Sequence, residues 1–273
     1  MRKILLSFDG THYSRGAFNF ASSMNDEEPI LLTGAFLPQV DFASSWSYAG
    51  GGGTVYIPLL ESYDADIVAA NIRKFQEDCV RHNIEHRVHR DFSSFALPEL
   101  QKESRYADLM ILGSQRFYEN LGLENPNEYL RDALHDAECP VLIAPEEFDY
   151  PETVVLAYDG SSASVYAIKQ FAYLFPELCR NQCILVYAGK KEGKGIPDED
   201  YIRELVARHF SDLTFYELEA NPRDYFSTWI SDLDRPILVS GAFGRSGFSQ
   251  IFKRSFASDV IAEKQFPVFI AHR

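Results

Sequence analysis

Apolar residues gather in short, uninterrupted runs along the chain, each followed by a polar turn and then by a longer stretch with helical spacing. In the second half such runs fall at 153–158, 183–188, 213–219, 236–241 and 267–271. Helical patterns lie between them at 162–176, 198–210, 223–232 and 253–264. The first places Ala163, Ala167, Ile168, Phe171 and Ala172 on one face. The first half follows the same plan, with strands expected at 2–8, 29–35, 84–89, 108–113 and 140–144 and a long helix at 60–82. Continuous apolar strands suit a parallel sheet covered on both faces. Their alternation with helices points to an open, doubly wound α/β arrangement.

The pattern is duplicated. Residues 4–14 read ILLSFDGTHYS and residues 154–164 read VVLAYDGSSAS, each an apolar strand, then Asp-Gly, then a polar turn into a helix. The closing strands also match, CPVLIAP at 139–145 against FPVFIAH at 266–272, and before them LMILGS (109–114) matches ILVSGA (237–242). Start and end motifs occurring twice in the same order mean an internal duplication. The expected units are 1–146 and 151–273, joined by the short Pro/Glu-rich stretch from Pro145 to Thr153. The closing strand of each unit would be an exposed apolar edge if left alone, so 140–144 and 267–271 are expected to meet across an approximate two-fold axis.

Composition narrows the function. The chain has 273 residues, with 40 acidic against 26 Lys plus Arg, a formal charge of −14. Such a surface repels a polyphosphate backbone, and only scattered basic pairs such as Lys190-Lys191 and Lys253-Arg254 oppose it, which argues against nucleic-acid binding. The four cysteines, Cys79, Cys139, Cys179 and Cys183, lack metal-ligand spacing and read as buried small apolar side chains. The first apolar run, Ile4 to Phe8, is too short for a signal-peptide core or a membrane span, so a cytoplasmic location is expected.

In open parallel sheets ligands bind at the carboxyl ends of the strands, where the winding reverses. Asp159 ends the first strand of the second half, where a carboxylate can accept hydrogen bonds from ribose hydroxyls. After the fourth strand comes GAFGRSGFSQIFKRSFAS, residues 241–258. Gly241, Gly244 and Gly247 let a backbone approach phosphates and present amide donors. Ser255 lies near the start of the next helix, where an anion is favoured.

This segment resembles the universal stress protein pattern Gly-x2-Gly-x9-Gly-Ser/Thr, with Gly241, Gly244 and Ser255 in register. Asp159-Gly160-Ser161 is similar to the Asp-Gly-Ser of that family, and the closing Pro-Val-Phe-Ile-Ala to its last strand. The likeness covers the whole chain in two copies. It implies two tandem five-stranded parallel sheets of strand order 3-2-1-4-5, similar to the HUP or adenine nucleotide alpha hydrolase-like folds, packed as an intramolecular pseudo-dimer through their last strands. It also implies an ATP or AMP site without a committed reaction. The residues so assigned are Asp159, Ala188, Gly241, Gly244, Arg245, Ser246, Gly247, Arg254 and Ser255.

The departures shape the expectation. Arg254 stands where the pattern has its third glycine. In the first half Gly113 is followed by Ser114, Gln115 and Arg116, so the second glycine is missing, and Asn127 and Glu128 occupy the places of Arg254 and Ser255. A carboxylate where a phosphate would lie is adverse. Asp9 alone reads as a turn or capping residue. Nucleotide is therefore expected in the second half only.

Other chemistry is not supported. His86 and His89 fall on opposite faces of one strand, so they do not share a metal. No Gly-x-Ser-x-Gly elbow surrounds Ser246, Ser249 or Ser255. The Phe171–Phe175 stretch has helical apolar spacing and reads as core or interface. The run Gly50–Gly53, with Phe36, Phe42, Trp46 and Tyr48 around it, reads as a surface loop or lid. The leading expectation is a non-enzymatic, cytoplasmic stress-response regulator. The alternatives are a protein-interaction module without nucleotide and a weak ATPase, the latter lacking a Walker-type lysine and paired acidic residues for Mg²⁺. A further dimer of whole chains is left open.

Overall fold

The computed structural model describes residues 1–8, 12–37, 62–90, 96–113, 133–187, 195–218, 222–241 and 266–271. The first half contains β1 (Arg2–Phe8), α1 (Arg15–Glu27), β2 (Ile30–Phe36), α2 (Ser62–Arg81), β3 (Glu85–Arg90), α3 (Ala96–Ser104), β4 (Leu109–Gly113) and β5 (Val141–Ala144). The second contains β6 (Thr153–Tyr158), α4 (Ser162–Leu174), β7 (Gln182–Tyr187), α5 (Glu199–His209), β8 (Asp212–Glu217), α6 (Pro222–Ser231), β9 (Pro236–Gly241) and β10 (Val268–Ala271). The helix expected at 253–264 and the glycine run with Phe42, Trp46 and Tyr48 lie outside the described residues.

The ten strands among the described residues form one sheet, in the order β3-β2-β1-β4-β5-β10-β9-β6-β7-β8. Read inward from either end, the order is 3-2-1-4-5, the expected doubly wound order in two copies. Neighbours are parallel within each half. At the join, β5 and β10 run antiparallel, pairing Ile143 with Val268, Leu142 with Phe269 and Val141 with Ile270. The expected pair of sheets is thus merged into one, because each closing strand supplies the backbone partners that the other's edge requires.

Both faces of the sheet carry a continuous apolar layer. On one, Ile4, Leu6 and Phe8 of β1, Val154, Leu156 and Tyr158 of β6, and Phe269 of β10 pack against α1, α2, α4 and α5. On the other, Leu5, Met110, Ile143, Val155, Leu238 and Ile270 pack against α3, α6 and the segment 133–137. Alternate residues feed opposite faces, which is why the inner strands are apolar without interruption. The two end strands depart from that rule: Arg87 and Arg90 of β3, and Asp212, Thr214 and Glu217 of β8, are exposed. Charged side chains on an edge strand discourage pairing with another chain.

The halves are fastened on the α1–α4 face. Phe20 of α1 meets Phe148 and Tyr150 of the connecting segment and Phe175 after α4, and Phe175 and Phe171 both pack edge to face on Phe269. Each buried phenyl ring contributes roughly 1.5–3 kcal/mol by removal from water. Arg2 reaches across from β1: Nη1 donates to the Leu174 carbonyl at the end of α4. Its Nη2 lies 3.2 Å from Glu28. A cation thus satisfies one of the last carbonyls of a helix in the other half.

Candidate functional site

In the second half the site is built where β6 ends. Asp159 follows the strand, and its Oδ1 accepts the Ser161 N–H at 2.9 Å, closing an Asx turn. Gly160 supplies the left-handed conformation that the turn requires, with φ of 77°. Ser161 then caps α4, its hydroxyl accepting the Ser164 N–H at 3.1 Å. The side chain of Asp159 is thereby fixed beside a helix N-terminus.

Two phenols border this turn. Tyr158 donates to the Pro197 carbonyl at 2.8 Å, and a Cβ on Gly160 would lie 2.8 Å from the Pro197 ring, so residues 195–198 lie across the strand end. Burial pushes the Tyr158 hydroxyl up, and the carboxylates of Asp198 and Asp159 push the same way. Tyr187, at the end of β7, is raised by burial, then by Glu217 and Asp159. Among the described residues, the carboxylates of Asp159, Asp198 and Glu217 thus act on these two phenols.

Gly241 ends β9 beside this turn. A Cβ there would lie 2.6 Å from the Ser164 nitrogen and from the Ala163 carbonyl carbon. Close seating of α4 on β9 therefore requires this glycine, a role that its place in a phosphate-binding pattern does not reveal. Asp159 and Gly241 are thus brought together around the start of α4. Ala188, Gly244, Arg245, Ser246, Gly247, Arg254 and Ser255 lie outside the described residues, as do Asp9, Asn127 and Glu128.

The corresponding place in the first half is built differently. Three more residues separate the end of β1 from its helix cap: Ser14 follows Phe8 by six positions, whereas Ser161 follows Tyr158 by three. The extension brings in Tyr13, which stacks on Phe8 with centroids 5.1 Å apart, while Phe8 stacks on Phe36 at 4.7 Å. Glu146, just after β5, accepts through Oε2 from the Arg15 N–H at 2.9 Å and the Gly16 N–H at 3.3 Å. Sequence reasoning missed Tyr13 and Glu146; the signal for Glu146 was the position itself, which corresponds to Arg273 after the second closing strand.

The remaining candidates resolve simply. His86 packs edge to face on Phe75 of α2, and His89 pairs with Glu103 of α3 at 2.7 Å, so the two point to opposite faces. Among the described residues no group of three or more His, Cys, Asp or Glu could hold a metal ion. All four cysteines are buried and free, and burial pushes the Cys79, Cys139 and Cys179 thiols up to about 12. Among the described residues no helix is long and apolar enough to cross a membrane.

No family profile matches the chain, and no curated protein sequence does. Solved structures do. A universal stress protein from Archaeoglobus fulgidus aligns over 100% of this chain and 96% of its own, at 14% identity and a TM-score of 0.68. Two proteins of Pseudomonas aeruginosa, one functionally unknown and one provisionally named a universal stress protein, align at TM-scores of 0.53 and 14% identity, covering 92% and 93% of their own lengths. The chain therefore has the universal stress protein fold, in a two-unit form that extends over its whole length.

Proposed function

We propose that the chain is a tandem universal stress protein, divided into units 1–146 and 151–273, that holds one adenine nucleotide in the second unit and acts as a regulator without chemistry of its own. The observation that carries this reading is Asp159, anchored by its Asx turn beside the N-terminus of α4, the helix start on which Gly241 of β9 is closely seated. This is the switch point of a doubly wound sheet, where ligands bind.

The residues on hand fit such a ligand. Asp159 is assigned to the ribose hydroxyls. By the resembled pattern Gly241, Gly244 and Gly247 supply amides for the phosphates, and Ala188, Arg245, Ser246, Arg254 and Ser255 complete the assigned set; of all these, Asp159 and Gly241 are among the described residues. The carboxylates of Asp159, Asp198 and Glu217 disfavour a phosphate beside Tyr158 and Tyr187, so this reading puts the nucleoside there and the phosphates toward β9. AMP or ATP is the ligand that this reading assigns to the site. The protein then works in the cytoplasm by presenting a nucleotide-dependent surface to a partner.

Mass spectrometry of small molecules released from freshly purified protein tests the reading. An adenosine phosphate at about one equivalent per chain is expected. A chain that releases none, and that shows no heat of binding with ATP or AMP, contradicts it.

A further inference from the structure

We propose that the first unit is closed by two of its own side chains, Tyr13 and Glu146, which stand in its ligand crevice as a tethered surrogate for a flat ring and an anion.

The crevice of that unit lies at the carboxyl ends of β1 and β4, where the winding reverses. A Cβ on Gly113 at the end of β4 would lie 2.5 Å from the Ser14 hydroxyl and 3.4 Å from Glu146 Oε1, so both side chains sit directly on the strand end. Glu146 accepts the first two amides of α1, Arg15 and Gly16, through one oxygen. Free backbone amides at a helix start are where an external anion would dock. Here a carboxylate of the chain has taken them, with His12 Nε2 3.7 Å from its other oxygen.

The placement of Glu146 is imposed by the backbone. A Cβ on Gly16 would lie 1.7 Å from the Pro145 carbonyl oxygen, so α1 and the residue after β5 approach as closely as a glycine allows. The ring is held as firmly. Tyr13 is 8% exposed, its hydroxyl donates to Asp78 at 2.9 Å, and Lys74 lies 4.2 Å from its centroid. Between them, α1, α2 and the connecting segment fix both surrogates.

At the matching sequence positions the second unit carries neither side chain. Its β6–α4 turn is three residues too short to carry a counterpart of Tyr13, and the positions matching Pro145 and Glu146 are His272 and Arg273. A tethered group competes at an effective concentration on the order of millimolar or above, so a free ligand at micromolar concentration does not displace it.

The test uses the full chain and isothermal calorimetry with AMP. Tyr13→Ala/Glu146→Ala gains one AMP site relative to the parent, the single phosphate docking on the Arg15 and Gly16 amides that Glu146 vacates rather than at the place of Glu128, and Asp159→Ala added to that pair leaves the new site in place. This holds whether the parent binds one AMP or none, so the outcome is separable from the nucleotide reading of the second unit. A folded double variant with no added site overturns the proposal, as does a parent that already binds AMP in the first unit. Should the double variant not fold, Glu146→Ala is titrated with inorganic phosphate and followed by phosphorus line width. Broadening in the variant and none in the parent is expected; equal behaviour of the two overturns the proposal.

Discussion

The ring of Phe20, on α1 of the first unit, meets the ring of Phe175, after α4 of the second, edge to face at a centroid distance of 6.0 Å. Both are fully buried. With β5 paired to β10, they join the two units, which are expected to unfold together. Phe20→Ala should cost about 3–5 kcal/mol, the range for truncating a buried phenylalanine. Chemical denaturation followed by circular dichroism should show one transition in the parent, at lower denaturant in the variant. Two separated transitions in the parent would show that the units unfold independently.

The cysteines give a second prediction. All four are buried, and burial raises every thiol, so the thiolate that reacts is scarce. A colorimetric thiol reagent at neutral pH should label none of the four in the native protein within minutes, and all four in denaturant. Rapid native labelling of any of them contradicts the packing described.

Glu177 sets a pH dependence at the joint. Burial holds its carboxyl above the ordinary carboxylate range; Glu27 adds to this, while Arg2 and Tyr150 oppose it. An acid whose folded pKa exceeds its unfolded value favours folding while protonated. That contribution is full below the unfolded pKa and is lost as pH rises through the folded one. Glu177→Gln keeps a neutral group at every pH. Its melting temperature should exceed the parent's at about pH 7 and converge with it near about pH 4, where glutamate protonates. A variant less stable than the parent at neutral pH would mean that the pairing with Arg2 outweighs burial.

How much of this was legible beforehand follows from the range of each interaction. The strands at 2–8, 153–158 and 236–241 carry their signal in consecutive residues, and their limits match the sequence reading. The antiparallel join was legible because the closing strand occurs twice and has an edge to cover. The end strands were harder: β3 and β8 alternate where the inner strands do not, and only the sheet order reveals which strands lie outermost. Asp159 and Gly241 were singled out by motif, whereas the packing of α4 on Gly241 depends on an approach that no local pattern encodes. Glu146 and Tyr13 are long-range partners of α1 and α2, 130 and 65 positions from the groups they bind.

Arg254 bears on the strength of nucleotide binding. It stands where the resembled pattern has glycine, and a bulky side chain obstructs a backbone that must admit phosphate or adopt positive φ. Arg254→Gly should bind ATP about tenfold more tightly than the parent, a change of about 1.4 kcal/mol in calorimetry. Weaker binding by the variant would make the guanidinium a phosphate ligand instead.

The central claim is a single adenine-nucleotide site in the second unit, anchored at Asp159. Calorimetric titration of the full chain with AMP measures it directly, beside Asp159→Ala and Asp9→Ala. One site per chain is expected, weakened about tenfold or more by Asp159→Ala, the effect of losing hydrogen bonds to a charged group, and nearly unchanged by Asp9→Ala. Two sites in the parent, or equal losses from both substitutions, would contradict it.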